Sequence, residues 1–85
     1  MNDQEFIQSM GALKGQVRYL PSTISAALID ILGELGAAST LSYTGDASDG
    51  NLVSFARRID ELFGDGSPKI LTEIVFWITE SAKKS

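Results

Sequence analysis

Apolar side chains recur at helical spacing along most of the chain. In the first segment, residues 2–20, the steps between them alternate between four and three: Phe6, Met10, Leu13, Val17 and Leu20. This spacing predicts a single apolar stripe on an α-helix. Asn2 and Glu5 have the spacing of a capping box at its start. Pro21 ends or bends the helix, because proline pushes the residue before it out of helical conformation.

The second segment repeats this spacing between Pro21 and Gly36. Its stripe consists of Ile24, Leu28, Ile31 and Leu35, widened by Ala27 and Leu32. Gly36 predicts the end of the helix, since glycine commonly follows the last helical residue. The first two segments also fit one long helix kinked at Pro21.

A polar connection is predicted for residues 37–50. The alternation of polar and apolar residues at 40–44 also permits a short strand, but a lone strand has no partner, so a loop is preferred. Residues 46–51 are rich in oxygen ligands. The twelfth position of an EF-hand counted from Asp46 is Arg57 rather than Glu, so this stretch predicts a solvated turn.

The last two segments have clear ends. The third, residues 51–63, carries the stripe Leu52, Phe55, Ala56, Ile59, Leu62 and Phe63, and Gly64 ends it. The fourth begins at Ser67-Pro68, which is typical of a helix start, and continues to about Lys83. The β-branched content of residues 70–79 permits a strand, but the Ser-Pro start and the terminal lysines favour a helix.

These segments together predict an all-α bundle of about four helices in one domain, residues 1–85. A chain of this length has a small core, and this one has no cysteine to form a disulfide. Small domains often gain stability by self-association. We therefore expect a homodimer.

Composition excludes several classes of function. Without Cys or His, the chain has no thiol nucleophile, no Ser-His-Asp triad and no zinc site of the usual ligands. Seven Lys and Arg against eleven Asp and Glu give a net charge of −4, which disfavours direct binding of nucleic acid. The turn at residues 64–69 lacks the spacing of a P-loop and carries Asp65. We expect no catalytic residue, no cofactor and no metal.

Membrane association is not expected either. The longest unbroken apolar run, residues 74–78, is much shorter than the roughly 20 residues that cross a bilayer. The acidic N-terminus does not resemble a secretory signal. A cytoplasmic location is the resulting expectation.

Phe76 is the best candidate for a partner-binding residue. At 100° per residue, the other apolar residues of its segment cluster on one arc, and Phe76 falls opposite them among polar residues. Trp77 beside it strengthens the case for an interface. We expect both residues to lie in or near the contact of the homodimer, and the alternative is that Phe76 is an anchor for a different protein. Gly11 and Gly15 are small residues four apart, which would let another helix approach closely. The predicted partner-binding residues are Phe76, Trp77, Glu73, Glu80, Gly11 and Gly15.

The expected function is that of a small acidic, non-catalytic interaction or regulatory module, a homodimer that binds another protein. One alternative is an acidic inhibitor that mimics nucleic acid, although the carboxylates are scattered over all segments. The other is a small enzyme, which would need a pocket with convergent polar groups. The sequence does not identify the partner.

Overall fold

The computed structural model describes residues 1–17, 20–45 and 51–84. Its α-helices are α1 (Asp3–Leu13), α2 (Leu20–Thr44), α3 (Leu52–Phe63) and α4 (Ser67–Lys84), with 3₁₀ turns at Lys14–Gln16 and Gly64–Gly66. These described residues contain no strand, which confirms the all-α class. Both stretches for which a strand was an alternative, residues 40–44 and 70–79, are helical.

The helices form a bundle around one apolar core. α3 and α4 contact each other, and both contact α1 and α2. The rings of Phe6 and Phe55 join α1 to α3, with their centroids 6.0 Å apart. The largest fully buried side chains are Phe6, Phe55, Met10, Ile24, Leu28, Ile59, Leu71, Ile74 and Ile78. Burial of these side chains is the main stabilising contribution to the fold.

α1 begins as predicted but ends early. The Glu5 backbone N–H donates to Asn2 Oδ1 at 2.8 Å, and the Asn2 N–H donates to Glu5 Oε1 at 3.0 Å, which completes the capping box. The chain leaves the α-helix after Leu13, and Val17 is extended. A single helix kinked at Pro21 is therefore wrong. Pro21 lies in the first turn of α2, where its missing N–H leaves no helical hydrogen bond unmade.

α2 continues well beyond its predicted end. The helix runs through Gly36 to Thr44, so the predicted stop at Gly36 and the predicted loop at 37–44 are wrong. The backbone departs from helical geometry only at Gly33, with φ 81° and ψ 167°. This break divides α2 into a first arm, residues 20–32, and a second arm, residues 34–44. Glycine adopts such a positive φ without steric cost, unlike other residues.

The break at Gly33 also changes which side chains face the core. Ile24 and Leu28 on the first arm are fully buried, as the stripe predicts, but Leu35 is 86% exposed. One non-helical residue resets the phase of the helix, so the four-and-three spacing does not carry across it. On the second arm the small side chains Ala37, Thr40 and Thr44 are buried instead.

α3 and α4 follow their predicted stripes closely. In α3 the exception is Leu62, which is 44% exposed, and Gly64 ends the helix with φ 57° as predicted. Ser67 is the first residue of α4 and not a cap that precedes the helix, because its backbone is already helical. Its buried hydroxyl donates to Asp60 Oδ1. The predicted solvated turn at 46–51 lies, except for Asn51, outside the described residues.

α2 also has the length and composition of a membrane span. Among the described residues, the segment Pro21–Thr44 is 24 residues long and has a mean hydropathy of 1.4, which is enough to cross a bilayer. Only 28% of its most apolar stretch is buried. The expectation from unbroken apolar runs missed this segment, because Asp30, Glu34 and several Gly, Ser and Thr residues interrupt its apolar residues. Core helices of soluble proteins reach the same length and hydropathy, but they are mostly buried.

Candidate functional site

Phe76 lies on the outer face of α4. Its side chain is 65% exposed, whereas Ile74 and Ile78, two residues to either side, are fully buried. Two residues along a helix correspond to a rotation of about 200°, which accounts for the opposite orientation. The exposure predicted for Phe76 from the helical period is therefore confirmed.

Phe76 and Trp77 form part of a groove between the first arm of α2 and α4, which we name the Phe76 groove. It consists of two adjoining depressions of about 410 and 400 Å³ that share Asp30, Phe76 and Trp77. The remaining lining residues are Ile31, Thr72, Glu73, Glu80 and Ser81. The four predicted binding residues of α4, including Glu73 and Glu80, thus lie together, and α2 supplies a wall that the sequence did not predict.

Trp77 is held in place by the opposite wall of the groove. Its indole Nε1–H donates to Asp30 Oδ2 at 3.1 Å, which links α4 to the first arm of α2 across 47 residues of sequence. The indole is half-buried. A tryptophan with a satisfied N–H is a rigid, largely apolar surface, so this wall is already formed in the free chain.

The rim of the Phe76 groove is acidic. Asp30 lies on the α2 side, and Glu73 and Glu80 lie on the α4 side. None of the described residues that line the groove is basic. Lys83 approaches Glu80 at 3.5 Å between Nζ and Oε1, but both side chains are well exposed, and such surface pairs contribute little. The groove therefore combines aromatic surface with negative charge.

Gly11 and Gly15 do not belong to this site. Both are exposed, neither lines the Phe76 groove, and a methyl group added at either would meet open space. Gly11 lies in α1 and Gly15 in the following 3₁₀ turn. Within the described chain, no helix approaches closely at these glycines.

A second exposed aromatic residue, Tyr43, was not singled out from the sequence as a site. Its hydroxyl donates to Glu61 Oε2 at 2.7 Å, and this hydrogen bond raises the pKa of the phenol. Arg58 donates to the Tyr43 carbonyl oxygen at 3.4 Å, and its guanidinium carbon lies 5.7 Å from the ring centroid. We name Tyr43, Arg58 and Glu61 the Tyr43 clasp. No local pattern signals it, because its partners are 15 and 18 residues away.

A third polar cluster joins α1 to α3. Burial, a hydrogen bond with Asp60 and the negative charge of Asp60 raise the pKa of Asp3 from 3.8 to about 6, while Arg57 opposes the shift. Ser67 donates to the same Asp60. Two carboxyl groups this close favour one shared proton. We interpret the cluster as a connection between helices, since Asp3 lies in α1, Asp60 in α3 and Ser67 at the start of α4.

Neither a metal centre nor a known relative identifies the function. Among the described residues, no group of three or more acidic side chains could hold a metal ion. No protein-family profile matches the chain, and no curated protein or solved structure matches it. The arrangement of the site therefore provides the evidence on function.

Proposed function

We propose that this protein is a non-catalytic protein-binding module and that the Phe76 groove is its binding surface. The observation that carries this proposal is the exposure of Phe76, 65% of its surface, directly beside a positioned Trp77. Aromatic residues are enriched where proteins bind each other, and they dominate the binding energy there.

The free energy available from covering Phe76 supports the proposal. An aromatic side chain presents about 200 Å², so the exposed part of Phe76 is on the order of 130 Å². At about 25 cal/mol per Å², its burial contributes on the order of 3 kcal/mol. That contribution is large enough to make Phe76 an anchor, although association also costs translational and side-chain entropy.

The homodimer expected from the chain length is a separate proposal. A two-fold dimer through the Phe76 groove would bring the same surface of both copies together. The three carboxylates of its rim would then face three others, which costs free energy unless cations intervene. We therefore propose that the groove binds a different protein and that any homodimer uses another face.

Site-specific crosslinking tests the proposed function. A photoreactive benzoylphenylalanine replaces Phe76, and in a matched variant it replaces Leu35, which is more exposed but does not line the groove. We expect irradiation in the source cells to give a discrete adduct with another protein from position 76 and none from position 35. Adducts between two copies of the chain would support a dimer through the groove. The same pattern from both positions would contradict the proposal.

Substitution of Phe76 distinguishes the proposed function from an inhibitor that mimics nucleic acid. An acidic inhibitor that mimics nucleic acid would bind its partner through its carboxylates, so its binding would survive Phe76→Ser.

A membrane-spanning α2 would have to bury Asp30 and Glu34, each costing about 2.5–3.5 kcal/mol at the helix centre. Flotation with lipid vesicles would detect such an association.

A further inference from the structure

The arrangement of charge around Phe76 narrows the chemistry of the partner. Glu73, Phe76 and Glu80 are spaced at i, i+3 and i+7 along α4, so the carboxylates lie one turn before and one turn after the ring. The two glutamates are about 10 Å apart along the helix axis. Asp30 adds a third carboxylate from the opposite wall.

From this juxtaposition, and resting on the proposed function, we infer that the Phe76 groove binds a cationic amphipathic helix of another protein. The helix would place a bulky apolar side chain against Phe76 and Trp77. It would carry lysine or arginine about one turn to either side, opposite Glu73 and Glu80. Apolar contact supplies affinity in this mode of binding, and charge selects the partner and its register.

A second copy of this chain matches the groove less well. The exposed face of α3 carries Arg57 and Arg58, but Glu61 lies on the same face, in the same surface depression as both arginines. Arg58 is engaged by Tyr43. The chain also has an overall charge of −4. A separate protein with a basic, apolar helix complements the groove in both charge and surface character.

The fluorescence of Trp77 measures binding at the groove directly, because Trp77 is the only tryptophan of the chain and lines the groove. The probe is a synthetic peptide of about fourteen residues, four helical turns, with leucines on one face and flanking lysines. The matched control replaces every lysine with glutamate. We expect the lysine peptide to shift Trp77 emission in a saturable manner and the glutamate peptide to leave it unchanged.

Variants of the groove separate the apolar and charged contributions. Phe76→Ser should weaken binding of the lysine peptide at least tenfold, as loss of an anchor does. Glu73→Gln should weaken it several-fold and reduce its dependence on salt. Leu35→Ser should bind like the wild type.

Several outcomes would overturn the inference. These are equal binding of both peptides, equal binding of the lysine peptide to wild type and Phe76→Ser, or no response of Trp77 to the lysine peptide. Concentration-dependent dimerisation that is abolished by Phe76→Ser would assign the groove to a second copy. The inference can fail while the proposed function holds: a crosslink from position 76 to a partner without basic residues at the contact would retain the binding module and reject only the cationic helix.

Discussion

Two exposed aromatic side chains, Tyr43 on α2 and Phe76 on α4, are in opposite situations. The phenol of Tyr43 donates to Glu61, and Arg58 contacts both its ring and its carbonyl oxygen. Phe76 is more exposed, 65% against 41%, and among the described residues it belongs to no aromatic pair. The side chains beside it form an acidic groove instead.

This comparison shows why exposure alone does not identify a binding residue. Tyr43 is exposed at the edge of a contact between α2 and α3, so its interactions contribute to the stability of the fold. Phe76 contributes little to folding, and its apolar surface remains available. We expect substitutions to separate the two: changes at the Tyr43 clasp should affect stability, and changes at Phe76 should affect binding.

The largest loss of stability is expected for Gly33→Ala. This substitution should also disrupt the contacts of Tyr43 with α3, so that Tyr43 no longer differs from Phe76. An alanine is strained at φ 81°, and such strain costs about 1–3 kcal/mol. Relief of the strain would straighten α2 and withdraw Tyr43 from Glu61. Urea unfolding followed by circular dichroism measures the loss.

Gly11→Ala is the matched control for that variant. Gly11 is helical and an added methyl group there meets no neighbour, so the change should stabilise the protein by about 0.5–1 kcal/mol. Unchanged or increased stability in Gly33→Ala would show that the break does not depend on glycine.

Tyr43→Ala should have the next largest effect. It removes the hydrogen bond to Glu61 and the contact with Arg58, so the urea midpoint should fall, but by less than in Gly33→Ala. Tyr43→Phe keeps the ring and should recover part of the loss. If Tyr43→Ala unfolds at the wild-type midpoint, the clasp does not stabilise the fold and the two aromatic residues are alike.

The pH dependence of stability determines the pH at which the variants of Tyr43 and Phe76 should be compared. Because the pKa of Asp3 is raised to about 6 in the folded chain from 3.8, the folded state binds more protons between these values. The contribution of Asp3 to stability is full below about pH 4 and is lost as the pH rises to about 6. Asp3→Asn should flatten this part of the profile. A profile identical to that of the wild type would contradict the shared proton.

Phe76→Ser should have the smallest effect on stability, within about 0.5 kcal/mol of the wild type, as for most surface substitutions. The reason is that its ring is largely exposed before and after unfolding. Thermal unfolding at pH 7.5, above the titration of Asp3, provides the measurement. A loss as large as that in Tyr43→Ala would mean that Phe76 is part of the core, and the proposed binding surface would have to be abandoned.

Local pattern by itself determined the helical class, the stripes of α1, α3 and α4, the capping box at Asn2 and the exposure of Phe76. These features depend on spacing within a few turns of one helix. Two predicted groups of binding residues had different outcomes. Those on α4 line one groove, because a single helical face places them there, whereas Gly11 and Gly15 lie elsewhere on the surface.

Tertiary structure decided the rest. The local signals at Gly33 and Gly36 are both glycines, so local pattern does not distinguish the bend at the first from the continuous helix at the second. In the folded chain the bend accompanies the contact of the second arm with α3 through Tyr43. The same holds for the wall that Asp30 contributes to the Phe76 groove, the Tyr43 clasp, and the contact of Asp3 with Asp60. Each joins residues 15 to 57 positions apart, so its free energy exists only once the helices have come together.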